Sequence, residues 1–216
     1  MLKTYTAIIT VASLLSVGTV SANSVNDDIS YLQKEWAIIN YKTAEDEREN
    51  AFSLLAEKAK ETVNKYPEHA EPLVWEGIIL STYAGAKGGL GALDLIEEAR
   101  NRLLEAEKIN PEVLSGSIYT SLGSLYYQAP GWPISFGSND DAKLYLKHAL
   151  ELNPNGIDPN YFYGDFLIEQ GKYQEAIAAL EHALKAPSRP NRPVADIGRK
   201  AEINEKISFA RKKINQ

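Results

Sequence analysis

Through most of this chain apolar residues recur three and four positions apart, the spacing that puts side chains on one face of an α-helix. Ile29, Leu32, Trp36 and Ile39 form a first stripe, and Phe52, Leu55, Ala59 and Val63 a second. Pro67 follows, and because proline disfavours helix in the residue before it, the second stripe is expected to end at Tyr66. Residues 23–67 therefore read as an irregular N-terminal helical hairpin. A last stripe runs from Ile197 through Ala201, Ile203, Ile207 and Phe209 to Ile214, after an extended segment from Pro187 to Pro193. The pattern predicts an all-α chain.

Between these ends one spacing occurs three times: a glycine, a pair of alanines seven residues apart, and a proline beyond. The sets are Gly77, Ala99, Ala106 and Pro111; Gly123, Ala142, Ala149 and Pro154; and Gly164, Ala176, Ala183 and Pro187. Seven residues are nearly two helical turns, so each alanine pair shares a face on which a neighbouring helix can come close. The glycine is expected to do the same on the partner helix, and the proline to end the unit. Residues 68–187 thus read as three stacked helical hairpins and residues 188–216 as an extended segment with a capping helix, whose outer face Arg199, Lys200, Glu202, Glu205, Lys206, Arg211 and Lys212 would make polar.

With Tyr119, Leu122, Gly123 and Tyr126 before Ala142, Leu146, Ala149 and Pro154, the second set resembles the tetratricopeptide repeat (TPR). The third, with Tyr163, Gly164 and Leu167 before Ala176, Leu180 and Ala183, resembles it too and alone keeps the family's twelve-residue gap from glycine to first alanine. The resemblance implies a TPR-like α-solenoid, with insertions in the turns of the first two units. The first insertion, Gly85-Ala86-Lys87-Gly88-Gly89-Leu90-Gly91, is expected to form a flexible turn. It lacks the Gly-Lys-Ser/Thr order of a phosphate-binding loop. The second, Gln128 to Gly137, holds two prolines, two glycines, Trp132 and Phe136, and reads as an ordered irregular loop. Ser138 and Asp141 after it resemble a helix capping box.

At the N-terminus Lys3 precedes an apolar run from Ala7 to Val17, and Val20-Ser21-Ala22 supplies the small residues a signal peptidase reads. Residues 1–22 are expected to be a cleaved secretory signal. The alternative, an uncleaved anchor, needs roughly 20 apolar residues, more than this run has. No membrane span is expected after cleavage. The chain has no cysteine, so a lipoprotein anchor at the cleavage point is excluded, and a soluble periplasmic location is expected. Removing Lys3 with the signal moves the formal charge from -6 to -7, which repels nucleic acid on average.

Chemistry is sparse. His69, His148 and His182 stand alone, no His-Glu-x-x-His or Gly-x-Ser-x-Gly motif occurs, and Asn153 to Asp158 lacks calcium-loop spacing. No enzyme, cofactor or metal site is expected. The resemblance to TPR proteins implies instead a concave groove lined by the first helix of each hairpin. The positions it implies are Val74, Ile78 and Ser81, then Thr120, Ser124, Tyr127 and Gln128, then Tyr161, Asp165 and Ile168. Thr120, Tyr127, Gln128, Trp132, Phe136, Tyr161 and Asp165 are the candidate binding residues. Tyr127 and Tyr161 could instead pack the hairpins, and Trp132 and Phe136 could plug the core rather than line a ligand wall.

The run Gly131-Trp132-Pro133 to Phe136-Gly137, the helix from Ala142 to Leu152 and Asn160-Tyr161-Phe162-Tyr163-Gly164-Asp165 also look similar to the tetratricopeptide proteins related to the T component of tripartite ATP-independent periplasmic (TRAP) transporters. That likeness implies association with a periplasmic substrate-binding protein. Two readings follow: a non-catalytic scaffold that grips a protein or peptide in its groove, or a carrier of a small apolar or amphipathic ligand serving solute uptake.

Overall fold

The computed structural model describes residues 24–216, and the expected signal sequence lies outside them. Nine α-helices are present among these residues: α1 (Val25–Lys42), α2 (Glu45–Lys65), α3 (Ala70–Lys87), α4 (Gly91–Ile109), α5 (Ser117–Gln128), α6 (Asn139–Leu152), α7 (Ile157–Glu169), α8 (Tyr173–Leu184) and α9 (Pro193–Ile214). A short 3-10 turn, Val113–Gly116, precedes α5. No strand forms among the described residues beyond a lone bridge between Gly131 and Gly137. Sequential helices pair as α1/α2, α3/α4, α5/α6 and α7/α8, and α9 packs on α8. The arrangement is an all-helical, largely solenoidal stack with a final capping helix.

The recurring small residues explain the pairing. A Cβ built on Gly77 would lie 2.8 Å from Leu103 Cγ, one on Gly123 2.6 Å from Leu146 Cγ, and one on Gly164 2.7 Å from Leu180 Cγ. Each glycine of a first helix is therefore the seat for a leucine of the second, and that leucine stands midway between the two alanines. Leu103, Leu146, Leu180 and all six alanines are fully buried. Burying one such leucine is worth roughly 1.5–3 kcal/mol, so the three seats hold the hairpins shut more firmly than helix propensity does.

Two local expectations change. The first insertion is not mainly a turn: α3 continues through Gly85 to Lys87, α4 starts at Gly91, and only Gly88 and Gly89 take positive φ, at 64° and 59°. The extra residues lengthen both helices, because an isolated helical glycine costs only about 1 kcal/mol. The second insertion is the ordered loop expected, tied by Gly137 N–H to Pro130 O (2.9 Å) and Ser138 N–H to Tyr126 O (2.8 Å). Ser138 Oγ accepts from the Asp141 amide at 3.3 Å, and the reciprocal half of a capping box is found instead at Ser24 and Asp27, ahead of α1.

The capping helix departs most from its expected form. Ile203, Ile207 and Ala210 pack with Ala176, Leu180 and Ala183, but Arg199 is buried and Lys206 pairs with Asp165. Ile197 and Phe209, expected on the apolar face, are exposed. The reason is that α9 is covered on more than one side: it also touches α7 and returns to α1 at the far end of the chain. Gly198 lies against the Tyr41 ring, where a Cβ would stand 2.3 Å from Cδ1, and the Tyr41 hydroxyl donates to Glu202 Oε2 at 3.3 Å. The stack closes on itself.

Candidate binding cavity and its charge network

Closure of α9 on α1 leaves a cavity of about 750 Å³ bounded by the first helices of the hairpins, by α2 and by α9. Its apolar wall is aromatic. Trp36 of α1, Phe52 of α2 and Trp75 of α3 meet there, with Ile78 and Phe162 beside them. Trp36 stands edge-on to Trp75 with ring centroids 6.3 Å apart, and its indole N–H donates to Thr82 Oγ1 at 2.9 Å.

The wall given by α3 and α5 carries hydroxyls because every first helix turns the same face inward. Ser81, Thr82 and Thr120 donate to the carbonyls of Gly77, Ile78 and Gly116, so their donor capacity is spent within their own helices. Ser121 and Ser124 line the same side.

The third wall is ionic. Asp158, two residues after Gly156 in α7, accepts from Arg189 Nη1 at 2.6 Å and from Arg199 Nε at 3.0 Å. Arg189 is also bound by Asp196 through Nε at 2.7 Å, and Arg199 by Glu202 through Nη1 at 2.6 Å. Burial would push the Asp158 carboxyl up, but Arg199 and Arg189 outweigh it and hold its pKa well below the usual carboxylate range. Arg199 also lies over Tyr161 and Phe162, 4.1 and 4.9 Å from their centroids. Burial in this layer raises the pKa values of Tyr41 and Tyr161. These groups join α7, the Pro-rich segment and α9, and so fix how the last helix returns.

The structure divides the candidate residues. Thr120 and Gln128 line the cavity, as do Ile78, Ser81 and Ser124 among the implied groove positions. Tyr161, Asp165 and Tyr127 do not: Tyr161 is buried beneath Arg199, and the Tyr127 hydroxyl donates to Asp165 at 2.8 Å while Lys206 of α9 pairs with the same carboxylate. The physical reason is the closure itself, since α9 occupies the concave face of the third hairpin that an open solenoid would leave free. Val74 and Ile168 are buried and also lie off the cavity. Phe136 packs between Tyr126 (5.2 Å) and the Arg100 guanidinium (4.2 Å), acting as a plug between hairpins. Trp132 is neither plug nor wall, with 90% of its surface exposed. Trp132→Ala is accordingly expected to change unfolding free energy by no more than about 0.5 kcal/mol in a denaturant titration.

Sequence reasoning passes over Trp36, Trp75, Arg48 and Arg192. The available signal is the Arg-Pro-Asn-Arg-Pro run from Arg189 to Pro193, where prolines on either side restrict the backbone that carries two guanidiniums. Among the described residues no group of three or more His, Asp or Glu side chains is placed to hold a metal ion. Nor is any helix there long and apolar enough to cross a membrane.

Residues 134–191 match the family model described as tetratricopeptide repeat. That segment spans α6 to α8, and the Gly-to-Leu seats repeat one packing at α3/α4, α5/α6 and α7/α8. Such repeats are non-catalytic scaffolds that generally mediate protein–protein interaction. No curated protein matches the sequence. Among solved structures, the thermophilic TPR protein TTC0263 of Thermus thermophilus is similar at 15% identity, with 86% of this chain and 100% of that chain covered and a TM-score of 0.45. PilF of Pseudomonas aeruginosa is similar at 15% identity, with 86% and 90% covered and a TM-score of 0.35. The repeat assignment rests on the match to residues 134–191 and on the helix packing, not on these two likenesses. None of the three points to a transporter component.

Proposed function

We propose that this chain is an exported, periplasmic binding scaffold whose central cavity carries a small amphipathic ligand. The supporting observation is the cavity of about 750 Å³, which has an aromatic wall and a hydroxyl-bearing wall. Small-molecule sites run from about 300 to 1,000 Å³ with mostly apolar linings and a few placed polar groups, and this cavity falls within that range. A long peptide suits it less, because α9 covers the part of the concave face that such a peptide would follow. N-phenyl-1-naphthylamine, a neutral apolar fluorophore, is expected to bind the protein one-to-one. Ser124→Phe, which fills the cavity from α5, should abolish that signal while the melting temperature holds; an unaltered signal in this variant would refute the reading.

A second reading concerns partners. Trp132 and Ile134 are 90% and 63% exposed on a loop whose backbone is internally bonded, an arrangement that favours docking to another protein. A substrate-binding protein of a TRAP-type transporter is the proposed partner, and the cavity would then serve solute uptake. Trp132→Ala should weaken co-purification with such a protein without affecting probe binding.

A further inference from the structure

Not every arginine of the cavity has a carboxylate partner. Arg189 and Arg199 are both held by carboxylates, but among the described residues no hydrogen bond or ion pair engages the Arg192 side chain, and its Nε is buried without a partner. Its guanidinium lies 5.1 Å from the centroid of Trp75, on the aromatic wall. Arg48 also lines the cavity; its Nε donates to the Thr43 carbonyl, and among the described residues it has no carboxylate within ion-pairing distance. Of the carboxylates on the lining, Asp158 and Glu202 are engaged by Arg189 and Arg199, which leaves Glu45 at the start of α2.

A buried guanidinium keeps its proton and has donors in a planar fork that suits a carboxylate, sulfonate or phosphate. Leaving the buried Nε donor of Arg192 unmet costs free energy, and an anionic ligand group recovers it. The contact of Arg192 with Trp75 sets the guanidinium beside the apolar wall, so a charged head and an apolar body would be met by adjacent surfaces.

We infer that the cavity selects small organic anions, with Arg192 as the recognition group for the anionic head and Trp36, Phe52 and Trp75 as the seat for the apolar body. This rests on the cavity being a small-ligand site, and it adds the ligand's charge and the residue that reads it. Charge-assisted hydrogen bonds are worth about 1.5–3 kcal/mol, which makes a preference of at least tenfold the expected scale.

Two fluorophores with similar naphthyl bodies test it: 1-anilinonaphthalene-8-sulfonate, which is anionic, and N-phenyl-1-naphthylamine, which is neutral. The protein should bind the sulfonate at least tenfold more tightly. Arg192→Gln should lower the affinity ratio about tenfold, and Arg192→Lys should keep most of it. Equal affinities in the parent protein, or equal losses in the Gln and Lys variants, would overturn the inference. A measurement free of any substitution displaces the bound neutral probe with octanoate or octanol; octanoate should be the stronger competitor by tenfold or more, and parity would overturn the assignment as well. Failure of both fluorophores to bind would instead dispose of the cavity as a ligand site.

Discussion

Replacing Asp158 with Asn is expected to destabilise the protein by about 1–3 kcal/mol, because it removes the carboxylate that Arg189 and Arg199 share. The two arginines retain Asp196 and Glu202, which places the effect toward the lower part of that range. The same residue sets a pH signature. Its folded pKa lies below the unfolded value of 3.8, so its contribution is complete above that value and is lost as pH falls below it toward the depressed folded value. Urea titrations from pH 6 to pH 2.5 should show the parent and Asp158→Asn proteins differing most at neutral pH and converging in acid. A gap that stays constant through that range would mean that Asp158 acts by shape and not by charge.

The second large effect concerns the glycine seats. Leu146→Ala should cost about 2–5 kcal/mol, since a fully buried leucine is removed and the rigid α5/α6 crossing cannot collapse around the void. Gly123→Ala should cost about 1–3 kcal/mol by overpacking, despite alanine's better helix propensity, because the new methyl meets Leu146 Cγ at 2.6 Å and the α6 backbone at 3.1 Å. In the double variant the alanine methyl enters space that Leu146 has left. The combined loss should therefore be smaller than the sum, with a coupling of about 0.5–3 kcal/mol. Strict additivity would show that Gly123 serves backbone freedom and does not seat the leucine.

The hairpins are legible in the sequence because each one is a local event. Gly77, Gly123 and Gly164 and the alanine pairs repeat in step, and the contact each reports lies within a single unit, so spacing alone is enough to infer it. The return of α9 to α1 is different in kind. It depends on how small rotations between hairpins add up along the stack, and no short pattern encodes that sum. The resemblance to TPR proteins therefore assigns Tyr161 and Asp165 to an open groove that α9 in fact fills, and Arg199 and Lys206, which read as a polar outer face, turn inward to meet them. The cavity residues escape notice for the same reason. Trp75 and Arg192 are far apart in sequence and meet only once the two ends of the chain are brought together. Phe136 shows the intermediate case: its apolar mass in a Pro/Gly loop is visible in the sequence, but whether it faces a ligand or Tyr126 is decided by the neighbouring hairpin.

Closure of the stack is the claim on which the cavity, the charge network and the ligand reading all depend. The chain has no cysteine, so Lys42→Cys in α1 and Ala201→Cys in α9, both exposed positions, can be spin-labelled without background. Double electron–electron resonance between the two labels should give one narrow distribution at short distance. A broad distribution centred at long distance, in a variant with unaltered helix content, would show an open solenoid and contradict the account.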